Sequence, residues 1–327
     1  MRRLAIILVI LMMIFLVGCG ENQDSAAQPT GIKTGSMFIQ GTDGLSIEFV
    51  SGAPPTSVVD KEQPFGISVR IENLGGHDID LGSDATVTVT GFDPADFGVG
   101  ASDLKKDSPD PLRGVKIDTE GGKIPGGMAS IDFPTSGSAF VNQKEVAGQV
   151  TYNIKADVCY NYGTVVNSEL CILEDMLGMT GQESSFCKVT EEKSVDNSGA
   201  PVQVTSFRES VGSATKTNFI FKVEHKGSGK LYASSSECVE EFPKRNKVHV
   251  EIDTGISGGL TCSGLQDPSS SGSVYSGDVV LLNGMREISC SQEISSPSDF
   301  KKVVRIDLGY DYKQSAETSL TVQHIGG

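Results

Sequence analysis

The sequence predicts an all-β protein that contains two antiparallel β-sandwiches in tandem. Three observations predict this fold. Apolar residues alternate with polar ones in short segments, turn-forming residues separate these segments, and part of the sequence recurs further along the chain. With 327 residues, the chain is long enough for two domains of ordinary size.

The N-terminus predicts export and a lipid anchor. Arg2 and Arg3 precede an apolar run, Leu4 to Val17, which is the pattern of a signal peptide over residues 1–18. The run is shorter than the ~20 residues of a spanning helix, so a transmembrane anchor is the less favoured alternative. The segment Leu-Val-Gly-Cys that ends at Cys19 resembles the lipobox of prokaryotic lipoproteins. We expect lipid on Cys19, the alternative being an ordinary cleavable signal with an incidental cysteine.

Composition predicts a flexible linker and an acidic mature chain. Residues 19–36 comprise the lipidated cysteine and a polar segment that we interpret as a flexible linker. Removing residues 1–18 takes away two arginines and no acidic residue, which leaves 25 basic and 42 acidic side chains and a net charge of −17. This charge disfavours nucleic acid and anionic lipid surfaces as partners. We therefore expect contact with the membrane through the lipid, on the extracytoplasmic face.

Strands are predicted from Leu45 onward. Alternating segments include Leu45–Phe49, Phe65–Ile71 and Val87–Val89, and similar stretches recur to the C-terminus. Gly- and Pro-rich segments that favour turns separate them, at residues 52–55, 74–76, 107–111 and 125–127. Regularly punctuated strands without helical crossovers predict antiparallel sandwiches.

An internal repeat predicts two copies of one fold. Residues 154–172 align without a gap on residues 304–322 at an offset of 150, and a block that starts at Phe65 resembles one that starts at Phe219. We expect one sandwich over residues 37–190, a linker over 191–199 and a second sandwich over 200–327.

The cysteines predict structural disulfides. No Cys-x-x-Cys spacing occurs, and the six cysteines beyond Cys19, an even number in an exported chain, favour disulfides over metal ligation. The candidates are Cys159, Cys171, Cys187, Cys238, Cys262 and Cys290. Residues 154–172 are predicted to form a hairpin, which would bring Cys159 beside Cys171, although Cys187 competes for either partner. The remaining pairs are expected to be Cys187–Cys238 and Cys262–Cys290, with other pairings open.

Several segments resemble known surface proteins. The stretch PFGISVRIENLGGHDI, from Pro64, resembles a strand and turn of the Ig-like domains of archaeal and bacterial surface proteins, including the CARDB type. Together with the lipobox, the segments CYNY, ELCI, GAPVQVTSF and LGYDYKQSAETSLTV resemble uncharacterised surface lipoproteins of small-genome archaea. The resemblance implies two tandem Ig-like sandwiches at the cell surface and transfers no catalytic or binding residue. The chain departs from vertebrate Ig domains because it contains no Trp.

The sequence offers little support for catalysis. No nucleophile elbow, P-loop or dinucleotide motif occurs, so we expect neither an enzyme nor a nucleotide or cofactor site. The four histidines are scattered singly, and no metal site is expected at them. Asp78, Asp80 and Asp84 give a calcium hypothesis, with a solvated acidic rim as the alternative. The tyrosine pairs 160/162 and 310/312 are interpreted as core, with a sugar-stacking platform as the alternative.

Three functional classes follow from these patterns. The first is a lipid-anchored surface protein with a structural, adhesion or protein-interaction role and no catalysis. Its expected partner is a surface protein or envelope component. An extracytoplasmic glycan- or solute-binding lipoprotein is the alternative, and an envelope hydrolase is disfavoured. The long loops at residues 96–118 and 182–199 are predicted sites of specificity.

Overall fold

The computed structural model describes residues 38–179 and 185–325. The predicted signal peptide, Cys19 and the whole predicted linker over residues 19–36 lie outside the described residues. Within the described part, residues from Phe38 onward form one compact unit that contains strands and short 3-10 helices. The all-β prediction is therefore confirmed.

The strands alternate buried and exposed residues, as predicted for half-buried β-structure. In the first half they are β1 Leu45–Phe49, β2 Ser57–Val59, β3 Ile67–Asn73, β4 Ala85–Thr90, β5 Lys105–Asp107, β6 Lys116–Ile117, β7 Lys123–Ile124, β8 Met128–Phe133 and β9 Gln149–Ile172. They continue as β10 Glu191–Lys193, β11 Asp196–Asn197, β12 Val202–Ser213, β13 Lys216–His225, β14 Lys230–Tyr232, β15 Lys247–Asp253, β16 Leu260–Ser263, β17 Gln266–Ser271, β18 Val274–Val280, β19 Met285–Glu293 and β20 Phe300–Gln323. The 3-10 helices are Gly82–Asp84, Pro94–Phe97, Ala101–Leu104 and Phe242–Lys244.

Three larger sheets organise these strands. Their orders are β1-β3-β8, β10-β12-β13-β19-β16 and β17-β18-β15-β20-β9-β4-β5, and β6 pairs with β7 separately. The last sheet has ten strands, because β2 and β14 also pair with β20, and β11 also pairs with β9. The strands pair antiparallel, except that β2 lies parallel to the end of β20.

The two sequence copies have the same strand pairing. In the first copy β3 lies between β1 and β8, while β4 pairs with β9. In the second copy β13 lies between β12 and β19, while β15 pairs with β20. The internal repeat in the sequence thus corresponds to a repeated arrangement of five strands.

The predicted hairpin over residues 154–172 is wrong. These residues belong to the single strand β9, which pairs along its whole length with β20. Gly163 and Thr164 are buried in the middle of this pairing, so the strand continues where a turn was expected. Asn161 lies opposite Asp311. Because these two positions are also equivalent in the repeat, an approximate two-fold axis passes between them.

The four central tyrosines belong to the core, as predicted. Tyr160, Tyr162, Tyr310 and Tyr312 are each at most 1% exposed. The Tyr162 hydroxyl donates to the Asn73 side chain at 2.9 Å, and a 2.8 Å hydrogen bond joins the Tyr312 hydroxyl to His225. Burial raises the pKa of all four hydroxyls, to about 12 for Tyr312, so they remain protonated.

The disulfide pairing differs from the expected one at four cysteines. The structure pairs Cys159 with Cys238, Cys171 with Cys187, and Cys262 with Cys290. Only the last of these pairs matches the expectation. Cys159 and Cys171 lie twelve positions apart on the continuous strand β9, about 40 Å at the usual rise per residue, so they are out of reach of each other.

The predicted linker over residues 191–199 takes part in the sheets. Strand β10 pairs with β12 of the second copy, and β11 pairs with β9 of the first. Strands of two or three residues are too short to produce a periodic pattern, which explains why the sequence did not reveal them.

Candidate functional site

A polar groove lies on the outer face of the ten-stranded sheet, where the two copies meet. Its volume is 890 Å³. Strands β4, β9 and β20 form its floor. Its walls are the 3-10 helix Gly82–Asp84 with strand β5 on one side, and the loop at residues 234–238 on the other.

The floor is made of side chains that alternate with core residues. Val87 and Val89 of β4 point into the core, so Thr86, Thr88 and Thr90 point outward. Thr88 lies across from Asp157 on β9, and Asp157 lies across from Ser315 on β20. The neighbouring row comprises Thr86, Cys159 and Lys313. These rows place hydroxyl, carboxylate and ammonium groups on fixed backbone positions.

The Asp157 carboxylate is neutralised by its neighbours. Its oxygens lie 2.9 Å from the Lys155 ammonium and 3.6 Å from that of Lys313, and the Ser315 hydroxyl donates to it at 2.6 Å. Burial opposes ionisation of Asp157, but the hydrogen bonds from Ser315 and Lys155 outweigh this effect and lower its pKa. The middle of the groove therefore has balanced charge.

The loop at residues 234–238 is fixed over the two-fold axis by Asp311. The buried Asp311 carboxylate accepts hydrogen bonds from the backbone N–H groups of Ser235, Ser236 and Glu237, at 3.1, 2.6 and 2.8 Å. The Asn161 amide donates to it from the opposite strand at 3.0 Å. These bonds allow three residues to adopt left-handed backbone conformations, with φ of 57° at Ser235 and 53° at Glu237 and Cys238.

A disulfide holds the same loop to the groove floor. Cys159 of the first copy is bonded to Cys238 of the second. The wall of the groove is thus attached to the floor by covalent and hydrogen bonds, and we expect it to be rigid.

Several polar groups that line or border the groove are available for a ligand. Among residues 38–179 and 185–325, the side chains of Asp84, Thr88, Lys105 and Glu237 make no hydrogen bond or ion pair. They supply both hydrogen-bond donors and acceptors around the ion-paired Asp157. A smaller pocket of 250 Å³ adjoins the groove at Lys313 and contains Ser315.

The residues of the calcium hypothesis do not converge. Asp78 accepts from the Lys116 ammonium at 2.8 Å and from the Gly114 N–H at 2.7 Å, and Asp80 pairs with Arg113. Asp84 lines the groove instead. Within the described residues, no group of three or more His, Cys, Asp or Glu side chains is placed to hold a metal ion.

Each of the four histidines has a structural contact. His77 packs edge-on against Tyr162, and His225 bonds to Tyr312. His249 lies 2.8 Å from Asp278, and His324 lies 3.1 Å from Asp60. Each histidine ring therefore has a partner within the fold.

Sequence reasoning found part of the groove. The loop over residues 96–118, predicted as a site of specificity, contributes Lys105 and Asp107. The loop at 234–238 was missed, since its only signal is the run Ser-Ser-Ser-Glu-Cys, and the partner of Cys238 was wrongly assigned.

Comparisons with known proteins give little guidance to function. No family model matches the chain, and no curated protein matches it. One solved structure to which the chain is similar is the crystal structure of envelope protein VP37 from White Spot Syndrome Virus, at 12% identity and a TM-score of 0.21. The match covers 46% of this chain and 97% of that protein. No helix in the described part of the chain is long and apolar enough to cross a membrane.

Proposed function

We propose that the protein is a lipid-anchored surface protein, with Cys19 as the anchor, which recognises another surface or envelope component without catalysis. A signal peptide and lipobox support the anchor, and three disulfides suit an oxidising compartment outside the cytoplasm. The surface location is the one that the resemblance to archaeal surface lipoproteins implies.

The groove at the junction of the copies is the observation that carries this proposal. It has a defined volume, a floor of strand side chains and a wall fixed by Asp311 and the Cys159–Cys238 disulfide. Binding sites are favoured at junctions between repeated units, because two surfaces meet there at a fixed angle. Neither copy alone contains all the residues of this groove.

The strand pairing supports two Ig-like sandwiches as the fold of the two copies. In each copy the first, second and fourth strands form one sheet, and the third pairs with the fifth in another. Ig domains divide their strands in a comparable way, with A, B and E in one sheet and C and F in the other. Such scaffolds suit recognition because the loops can vary in sequence while the sheets keep their structure.

A glycan- or solute-binding lipoprotein is the second candidate. The polar lining of the groove, with both donors and acceptors, favours it. The two candidates differ in whether the groove meets a soluble molecule or a component fixed to a surface.

The anchor is tested by intact mass. Protein from the membrane fraction of its native host is expected to begin at Cys19 and to carry added lipid mass. A Cys19→Ser variant should be released from that fraction. Retention of residues 1–18, or membrane association of the variant equal to the wild type, would argue against lipid anchoring.

Recognition is tested by crosslinking on intact cells. Native protein should give a discrete crosslinked partner, and Thr88→Arg, which places a long charged side chain on the groove floor, should lose it. Thr261→Arg, at an exposed strand position in another sheet, is the matched control and should retain it. Loss with both variants, or with neither, would contradict recognition through the groove.

A further inference from the structure

We infer that the groove binds an uncharged oligosaccharide, an inference that rests on the proposed recognition function and gives its ligand class. The lining of the groove is rich in polar side chains. Hydroxyl, carboxylate and ammonium groups alternate over a short distance, on the threonines of β4, on Asp157 and Ser315, and on Lys105 and Lys313. A sugar hydroxyl both donates and accepts hydrogen bonds, so it can use every one of these groups.

The charges of the lining disfavour an anionic ligand, because the acidic residues Asp84, Asp107, Asp157, Glu237 and Asp311 outnumber the lysines Lys105 and Lys313. Asp157 is held between Lys155 and Lys313, and Asp311 is occupied by the loop that it fixes. Asp107 accepts a hydrogen bond from Thr86. Asp84 and Glu237 remain as acceptors for the hydroxyls of a neutral sugar, and Lys105 remains as a donor. An anionic ligand would also meet the net charge of −15 of the whole chain.

The position of the floor within the sheet disfavours a peptide strand. Strands β4, β9 and β20 already have neighbours on both edges along the groove, with β5 beside β4 and β14 beside residues 311–313 of β20, so their backbone groups bond to these strands. A peptide bound by strand addition requires an unpaired backbone edge. A ligand in this groove contacts side chains, as an oligosaccharide does.

The size of the groove suits more than one sugar ring. A volume of 890 Å³ equals that of about 30 waters at ~30 Å³ each, and a hexose has about twelve non-hydrogen atoms. The Cys159–Cys238 disulfide lies among the lining residues and holds the wall at a fixed distance from the floor. Thr88 lies near the middle of the floor, so it is the residue to substitute.

The test uses full-length protein, purified from the membrane fraction in detergent, against three matched probes. They are a neutral oligomer of N-acetylglucosamine, its deacetylated cationic form and an anionic oligomer of uronic acid, on an array that also carries neutral oligomers of glucose, galactose and mannose. We expect binding to at least one neutral oligomer, measured by calorimetry. Thr88→Val, which replaces the hydroxyl with a methyl group of similar size, should weaken this binding at least fivefold, and Thr88→Arg should abolish it.

Thr261→Arg is the control and should bind the same oligomer as the wild type does. The inference is overturned if no neutral oligomer binds, if a charged probe binds more tightly than every neutral one, or if Thr88→Arg binds normally. Thermal unfolding of each variant establishes that it is folded. Absence of glycan binding beside a lipidated Cys19 and a groove-dependent crosslinked partner would reject this inference and leave the proposed function intact. Glycan binding by a protein without lipid on Cys19 would support this inference and reject the proposed lipid anchor.

Discussion

At the scale of single residues, the internal repeat has a packing explanation. Gly75 and Gly227 occupy matching positions in the two copies. A Cβ at either glycine would collide with a buried tyrosine hydroxyl, Tyr162 in the first copy and Tyr312 in the second. The sequence match thus marks a close approach between a turn and a core tyrosine.

Gly75→Ala should lower the free energy of unfolding by about 1–3 kcal/mol, because its Cβ would also meet the backbone carbonyls of Asp43 and Gly199. Gly66→Ala is the control. Its Cβ would have ordinary contact, 3.5 Å from the Phe133 carbonyl, and we expect a change within about 0.5 kcal/mol. Urea denaturation measures both values. Equal effects would show that the approach to Tyr162 does not matter.

A buried ion pair gives a second prediction at this scale. Glu209 and Lys193 lie 3.3 Å apart and are almost fully buried. Thr217 and the Cys171 N–H donate hydrogen bonds to the Glu209 carboxylate, each at 2.9 Å. Burial nevertheless dominates and raises the pKa of Glu209 from 4.5 to about 7.

The folded state therefore binds the Glu209 proton more tightly than the unfolded state does. The resulting contribution to stability is fully present below pH 4.5 and is lost as the pH rises through about 7. Burial lowers the pKa of His77 and His225, which gives the opposite slope nearby, so the comparison with Glu209→Gln is needed. Between pH 4.5 and 8, the wild type should lose more unfolding free energy than the variant. Denaturant titrations measure the unfolding free energy at each pH. If the wild type and Glu209→Gln showed the same pH dependence, the raised pKa of Glu209 would be contradicted.

At the scale of elements, the strands that alternate clearly were predicted and the long pairing was not. Leu45–Phe49 was predicted with its observed bounds, and Phe65–Ile71 largely matches β3. The pattern of residues 154–172 was read correctly as alternating, but alternation is the same in a hairpin arm and in one long strand. Only the distant strand β20 distinguishes them.

Asp311 organises the loop that closes the groove, and this gives a prediction for that element. Asp311→Asn replaces one acceptor oxygen with a donor, while the loop uses both oxygens. We expect at least tenfold faster hydrogen exchange at the Ser236 and Glu237 amides and a loss of about 2–3 kcal/mol in stability. Asp307 lies on the same strand, and within residues 38–179 and 185–325 its side chain bonds only to Arg305, so Asp307→Asn should change neither by much. Unchanged exchange in Asp311→Asn would contradict the role of Asp311.

At the scale of the whole molecule, the repeat predicted two copies but not how they join. Joining depends on β9 and β20, which pair across the copies, and on the disulfide between Cys159 and Cys238. The alternation of residues within a strand does not indicate which distant strand will pair with its edge. The groove was therefore only partly predictable, since its floor and its missed wall come from different copies.

The separate copies, residues 38–190 and 200–327, should not fold as soluble monomers. Each would expose the unpaired edge of a 24-residue strand, and such an edge favours association. Size-exclusion chromatography with light scattering is expected to show aggregates or dimers of each half. Two folded monomeric halves would show that the copies are independent domains.

The disulfide pairing tests the central claim, a groove built jointly by both copies, most directly. Protein purified without reduction is digested, and the linked peptides are identified by mass spectrometry. We predict Cys159 linked to Cys238, Cys171 to Cys187, and Cys262 to Cys290. A Cys159–Cys171 link would require β9 to fold back as a hairpin, would separate the two copies and would remove the groove.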